Sequence, residues 1–289
     1  MKYTERSLRI INNAEKVSEQ TTKIVLPIHL LMGALLERTG VCAELFINYP
    51  TLYEALYDQI NKKDLGIQEE RMRFSPFTTV ISHSTKQVLE NAKRKMDRFK
   101  QVYLNEGLII NAIFDLNDPL TTSFTRGLDV KRILEIVSYP RDLIVPLKEY
   151  SPPEIMNRGF LVRRAESTDL VPLKNFVHKE YGDGWIKSLE NGITKEKIPI
   201  YLAENDGEIL GFACFDVVRN KKGLFGPMGT SISRRTQGIG HALLHYCLNE
   251  MKNNDYEYVI IGEAGPIVFY EKSCNAVIIP KPLIMKNFT

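Results

Sequence analysis

The strongest chemical signal in the chain is Arg235-Thr236-Gln237-Gly238-Ile239-Gly240. Glycine at 238 and 240 lets the backbone turn and approach a ligand with no Cβ in the way. A strand-like stretch precedes the segment, and Leu243, Leu244, Cys247 and Leu248 follow at helical spacing. The amides of 236–240 are therefore free donors at a helix start. A diphosphate placed there meets N–H groups and the positive end of the helix dipole, and Arg235 can add a charge-assisted bond. The pattern is not a dinucleotide fingerprint, since Leu243 stands where a third glycine belongs. It is not a P-loop, since no Lys-Ser or Lys-Thr follows.

The elements around this loop read as an α/β domain. Phe160 to Arg164 is strand-like, and Ser167-Thr168-Asp169 offers an N-cap for a helix from Leu170 to His178. Strands Ile200 to Ala203 and Glu208 to Val218 meet at Asn205-Asp206-Gly207, a hairpin signal. Gly223 to Ile232 continues extended, Gly238 to Met251 is a helix, and Tyr256 to Ile261 is a buried strand. Pro266 to Ser273 is a short helix, and Val277 to Ile279 a last strand.

These residues resemble the GNAT superfamily of N-acetyltransferases. Gly229 to Gly240 is similar to its motif A, R/Q-x-x-G-x-G/A, and Ala264 to Lys272 is similar to its motif B, with Phe269-Tyr270-Glu271-Lys272 as the F/L-Y-x-K element. The resemblance covers about 160–283. It implies a mixed, splayed central sheet and acetyl-CoA as cosubstrate. The pantetheine would pair near Met228, Gly229 and Thr230, and the pyrophosphate would lie on 235–240, with Gln237 and Ile239 in that loop. Tyr270 matches the tyrosine that protonates the leaving thiolate. The general base is not fixed: Glu263 is the first candidate and Asp216 the second. The chain departs from the family pattern at Glu263 (usually Asn), Asn275 (usually Gly) and Thr230 (often Val). The acceptor pocket would be built by Glu180 to Lys197 and Val218 to Leu224, where Tyr181 and Trp185 could line it. The acceptor is a small-molecule or peptide amine. An alternative is a CoA-binding or adaptor protein without turnover.

Residues 1–138 read as helices and hold an internal repeat. With a shift of 78 and no gap, Tyr3-Thr4 falls on Ile81-Ser82, Asn13-Ala14 on Asn91-Ala92, Leu30 on Leu108, Ala34 on Ala112, Phe46 on Phe124 and Leu56 on Leu134. Each copy is about four helices, and two copies would pack as a pseudo-twofold domain. Asn61 to Phe77 reads as a loop. Tyr3-Thr4-Glu5-Arg6 and His29-Leu30-Leu31-x-Gly33-Ala34-Leu35-Leu36 resemble the Clp N-terminal repeat domain of Clp-type unfoldases, which implies a site for protein partners. The family's Glu-His pair is worn: Ile28 replaces Glu in the first copy, and Glu106 is followed by Gly107 in the second. The segment 139–159, with Pro140, Pro146, Pro152 and Pro153, is expected to link domain 1–138 to domain 160–289.

Composition bounds the rest. The chain has 289 residues, 44% apolar and 25% charged, with a formal charge of +3, room for two globular domains. Neither half is basic enough to argue for nucleic acid or membrane partners. No apolar run approaches the 18 or so residues of a membrane helix. The charged start lacks a signal-type apolar block, so a cytoplasmic setting is expected. Cys42, Cys214, Cys247 and Cys274 sit among apolar neighbours and read as buried free thiols. His241 and His245 lie one helical turn apart, and no metal is expected there.

Overall fold

The computed structural model describes residues 1–62, 70–155, 159–219, 221–235 and 237–281. Its described residues divide into two compact units, one within 1–139 together with 280–281, and one within 140–279.

The first unit is helical and duplicated. Copy one runs α1 (Glu5–Gln20), α2 (Pro27–Leu36), α3 (Gly40–Asn48) and α4 (Leu52–Lys62). Copy two runs α5 (His83–Arg98), α6 (Glu106–Asp115), α7 (Pro119–Phe124) and α8 (Val130–Val137). The N-caps repeat as well: Thr4 accepts from Ser7 N–H, and Ser82 from Thr85 N–H. The apolar helices α2 and α6 are almost wholly buried and pack on each other.

The two copies exchange backbone. Thr4 N–H donates to the Leu104 carbonyl (3.1 Å), and Leu104 N–H to that of Lys2 (2.8 Å). Their counterparts are Ser82 N–H to Val25 (3.0 Å) and Val25 N–H to Val80 (3.0 Å). Ser7 Oγ donates to the same Leu104 carbonyl, as Thr85 Oγ1 does to Val25. Lys2, Thr4 and Ser7 lie 78 residues before Val80, Ser82 and Thr85, whereas Val25 lies 79 before Leu104. The overlay without a gap therefore holds for α1 on α5 and for the start of α4 on α8. It slips by one residue over α2 and α3, so Leu30 falls on Ile109 rather than Leu108. The reason is the longer connection from α5 to α6.

A buried ion pair also crosses the copies, Arg6 Nη1 to Glu106 Oε1 at 2.6 Å. In the stretch expected as a loop, β1 (Arg71–Met72) pairs with β2 (Ile81–Ser82), and 63–69 lie outside the described residues.

The second unit is built on a seven-stranded sheet. Along the chain its strands are β3 (Arg141–Pro146), β4 (Leu161–Arg164), β5 (Ile200–Asn205), β6 (Glu208–Phe215), β7 (Leu224–Thr230), β8 (Tyr258–Ala264) and β9 (Val277–Ile278). Their order is β4-β5-β6-β7-β8-β3-β9, antiparallel throughout except β7–β8, which is parallel. Helices α9 (Leu170–Tyr181) and α10 (Ile186–Ile193) close a core of Leu173, Val177, Leu189, Ile200, Leu202, Phe212 and Cys214. Helix α11 (Ile239–Asn253) packs on β5, β6 and β7, and α12 (Ile267–Cys274) follows β8.

Two features differ from the sequence expectation. The proline-rich segment 139–159 is more than a connection, because β3 within it pairs with both β8 and β9. Leu143 and Val145 alternate inward and supply the burial that holds it there. Residues 156–158 of that segment lie outside the described residues. Helix α10, which joins the core through Leu189, was not expected. All four cysteines are buried and free, as expected. Among the described residues no helix is long and apolar enough to cross a membrane.

Candidate active site

The site begins where β7 and β8 part. Their parallel ladder pairs Leu224 with Ile260 and Phe225 with Ile261. Gly226 (φ +116°) and Pro227 come next, and proline brings no N–H to a ladder. From there β7 continues to Thr230 paired with β6 alone, through Met228↔Ala213, Gly229↔Phe212 and Thr230↔Gly211. Ser231 N–H donates to the Leu210 carbonyl at 2.8 Å. Antiparallel pairs alternate between bonded and non-bonded, so the N–H and C=O of Thr230 and Met228 point away from β6. This is the strand edge that β8 leaves without a strand partner in a splayed sheet.

The glycine loop lies beyond that edge. A single 3₁₀ turn at Ile232–Arg234 leads to Arg235, which is half-exposed. Gly238 caps α11 in the left-handed region (φ +86°), where a side chain is strained. The Ala242 N–H bond to the Gly238 carbonyl opens the helix, so the amides of Ile239 and Gly240 precede its hydrogen-bond ladder. Gln237 is exposed on the same turn. Thr236 lies outside the described residues.

Tyr270, on α12, is buried at 6% exposure with its ring edge-on to Phe225 (6.3 Å) and Phe269 (4.9 Å). It thus sits beside the point where the ladder ends. Burial raises its pKa, and among the described residues its hydroxyl has no hydrogen-bond partner. Glu263 is exposed on β8. Gly262 and Glu263 oppose the single residue Asp142 between the pairs Leu143↔Ile261 and Arg141↔Ala264, which makes a bulge. Glu263 takes φ +49° there, and its N–H donates to Asp142 Oδ1 at 2.8 Å.

Asp216 has a structural task. Its carboxylate accepts from Gly223 N–H (2.7 Å) and Tyr256 Oη (2.5 Å) and pins the β6–β7 turn. That turn is at the other end of β7 from the glycine loop. His245 is buried, its Nδ1 on Tyr150 Oη (2.6 Å) and its Nε2 on His241 Nε2 (3.2 Å). Burial, then His241, lowers its pKa to about 4, which keeps the imidazole neutral.

One participant was not legible as such. Thr230 N–H donates to Tyr181 Oη (2.7 Å), and that hydroxyl donates to the Thr230 carbonyl (2.5 Å). Arg235 Nη2 lies 3.5 Å from the same oxygen, and Ile232 N–H donates to Glu180 Oε2 at 2.9 Å. The end of α9 is thus fastened to the strand-to-helix connection. Near it, a shallow cavity of about 290 Å³ is lined by Lys174, Asn175, His178, Asp183 and Ile186.

Comparison with known proteins assigns the two units to classes. Residues 196–273 match the model of the acetyltransferase (GNAT) domain, and residues 2–126 that of the Clp repeat (R) N-terminal domain. The chain therefore joins a Clp repeat domain to a GNAT domain.

Several solved structures are similar to parts of this chain. One is the N-terminal domain of the chaperone ClpD from Arabidopsis thaliana, 22% identical over 47% of this chain and 91% of that one, TM-score 0.39. Another is a GCN5-related N-acetyltransferase from Sphaerobacter thermophilus, 18% identical over 49% of each chain, TM-score 0.41. A third is the glucosamine N-acetyltransferase region of a fungal multi-domain beta-N-acetylglucosaminidase, 12% identical over 49% of this chain, TM-score 0.43. The match spans 20% of that fungal chain. No curated protein matches.

Proposed function

We propose that the protein transfers an acetyl group from acetyl-CoA to an amine, with the helical unit as a docking module for a protein partner. The observation that carries the reading is the edge of β7 that β8 leaves unpaired, leading into a glycine-capped helix start. An extended amide chain fits the outward N–H and C=O of Met228 and Thr230, and a diphosphate fits the amides at 238–240 with Arg235 beside them. Gly229 and Ile239 belong to the same path, with Thr236 and Gln237 assigned from the motif.

The chemistry follows from these positions. The amine nitrogen attacks the thioester carbon, so a C–N bond forms and the C–S bond breaks. A strand N–H at Met228 stabilises the charge that develops on the carbonyl oxygen. The buried Tyr270 phenol gives its proton to the departing sulfur, and the amine loses one to Glu263 or to water. The acceptor enters from the α9–α10 side. No metal is required by this scheme.

Acetyl-CoA binding followed by thiol release across a panel of small amines and peptides tests the reading. Release with at least one amine is expected. Binding without turnover on any amine would assign the chain to a CoA-binding scaffold, and no binding would remove acetyl-CoA altogether.

A further inference from the structure

We propose that Tyr181 is a displaceable latch on the strand edge where the acetyl donor pairs, and that its release signals donor binding to the acceptor side of the domain. The inference rests on the acetyl-CoA reading above. A single phenol hydroxyl bonds both outward groups of Thr230, at 2.7 and 2.5 Å. That saturates the residue as a neighbouring strand would, so an incoming amide chain cannot pair with Thr230 until the hydroxyl leaves.

The ring is accommodated by the strand itself. A Cβ at Gly229 would meet Tyr181 ring atoms at 2.6 and 2.8 Å. Gly229 is not in the positive-φ region, so its backbone does not demand glycine. The missing side chain makes room for the tyrosine, which covers the segment assigned to the pantetheine.

The latch is also placed to move. Tyr181 ends α9, and Gly182 follows at φ +78° with open space around it. Gly184, two residues on, is equally unhindered. Glycines at both positions let the backbone absorb a change of direction with little steric penalty. The next residue is Trp185, whose ring packs 4.8 Å from that of Tyr181 and edge-on to Phe212 at 6.0 Å. Trp185 leads into α10, so movement of Tyr181 unseats the indole at the mouth of the acceptor side. Donor binding then prepares the acceptor pocket.

Trp185 is the chain's single tryptophan and reports on the latch directly. The experiment compares wild type, Tyr181→Phe and Tyr181→Ala in three measurements. These are CoA affinity by calorimetry, Trp185 emission on adding CoA, and exchange at the Thr230 amide without CoA. The expected results are faster Thr230 exchange in both variants and a CoA-dependent emission change in wild type. Tyr181→Ala should bind CoA roughly tenfold more tightly, since no hydroxyl pair must be broken first. Tyr181→Phe keeps the ring over Gly229 and should fall between. Weaker CoA binding in both variants would make Tyr181 a donor contact and overturn the latch. So would equal affinity with unchanged exchange and emission. Failure of all three proteins to bind CoA would overturn the acetyl-CoA reading, and the latch with it.

Discussion

Tyr270 is a phenol held in apolar surroundings, with no partner for its hydroxyl among the described residues. Burial raises its pKa, so the proton stays on oxygen at working pH and is available to a leaving thiolate. Tyr270→Phe keeps the ring against Phe225 and should lower turnover by about 10²-fold while CoA affinity holds. The loss should shrink at lower pH, where solvent protonates the sulfur. Equal turnover across pH would return Tyr270 to a packing role.

Two neutral histidines give stability a pH dependence. His29 accepts from Leu26 N–H at Nδ1 (3.0 Å) and contacts Thr21 Oγ1 through Nε2 (3.2 Å), and burial lowers its pKa to about 3. His245 falls to about 4. Unfolding restores both to about 6.5. Between these values the unfolded chain binds more protons, so stability falls as pH drops from about 6.5 toward 4. Each histidine contributes up to about 1.4 kcal/mol per pH unit. Melts at pH 7 and pH 5 check this. His245→Gln should flatten the profile of the α/β unit, and an unchanged profile would show that His245 titrates alike in the folded and unfolded chain.

The turn into α11 shows what the sequence does and does not say about elements. Gly238 holds φ +86°, whereas a Cβ at Gly240 would meet Phe269 and Thr230 atoms only at 3.7 Å. Gly238→Ala should therefore lose about 1 kcal/mol, and Gly240→Ala should be neutral or gain a few tenths. Thermal melts separate the two. Gly238→Val or Arg235→Glu should weaken CoA at least tenfold, by blocking the backbone's approach or repelling the diphosphate. Substitutions on the helical unit should leave CoA affinity alone.

This loop was legible because its glycines mark backbone conformations that other residues avoid. The β5–β6 turn was legible for the same reason, with Asp206 at φ +48° and Gly207 at +82°. Strand β3 was hidden because Arg141 to Pro146 is flanked by prolines that locally read as a connection. What makes it a strand is its pairing with β8 and β9, far away along the chain. Glu263 was nameable but its bulge was not, since two-against-one pairing depends on Asp142, 121 residues earlier. Tyr181 was read only as a possible pocket residue. Its grip on Thr230 follows from where α9 ends, which composition does not encode.

At the scale of the whole molecule, the helical unit carries the most distinctive arrangement. The strand bridges at Leu104 and Val25 cross from one copy to the other, and so do the hydroxyl bonds of Ser7 and Thr85. Neither copy satisfies these groups by itself. A lone first copy, residues 1–62, would leave Val25 and the Lys2–Thr4 backbone unpaired and the apolar face of α2 bare. Its remedy is a second molecule of the same kind, since the two contacts are equivalent. Helicity and melting of that fragment should rise with concentration, and sedimentation should find pairs. A fragment whose helicity ignores concentration would refute this. The present chain escapes that law of mass action: its two copies are tethered, so their effective concentration is set by the linker rather than by the cell. Its helical unit folds as a tethered pair of unlike copies, with the partner supplied by the same polypeptide.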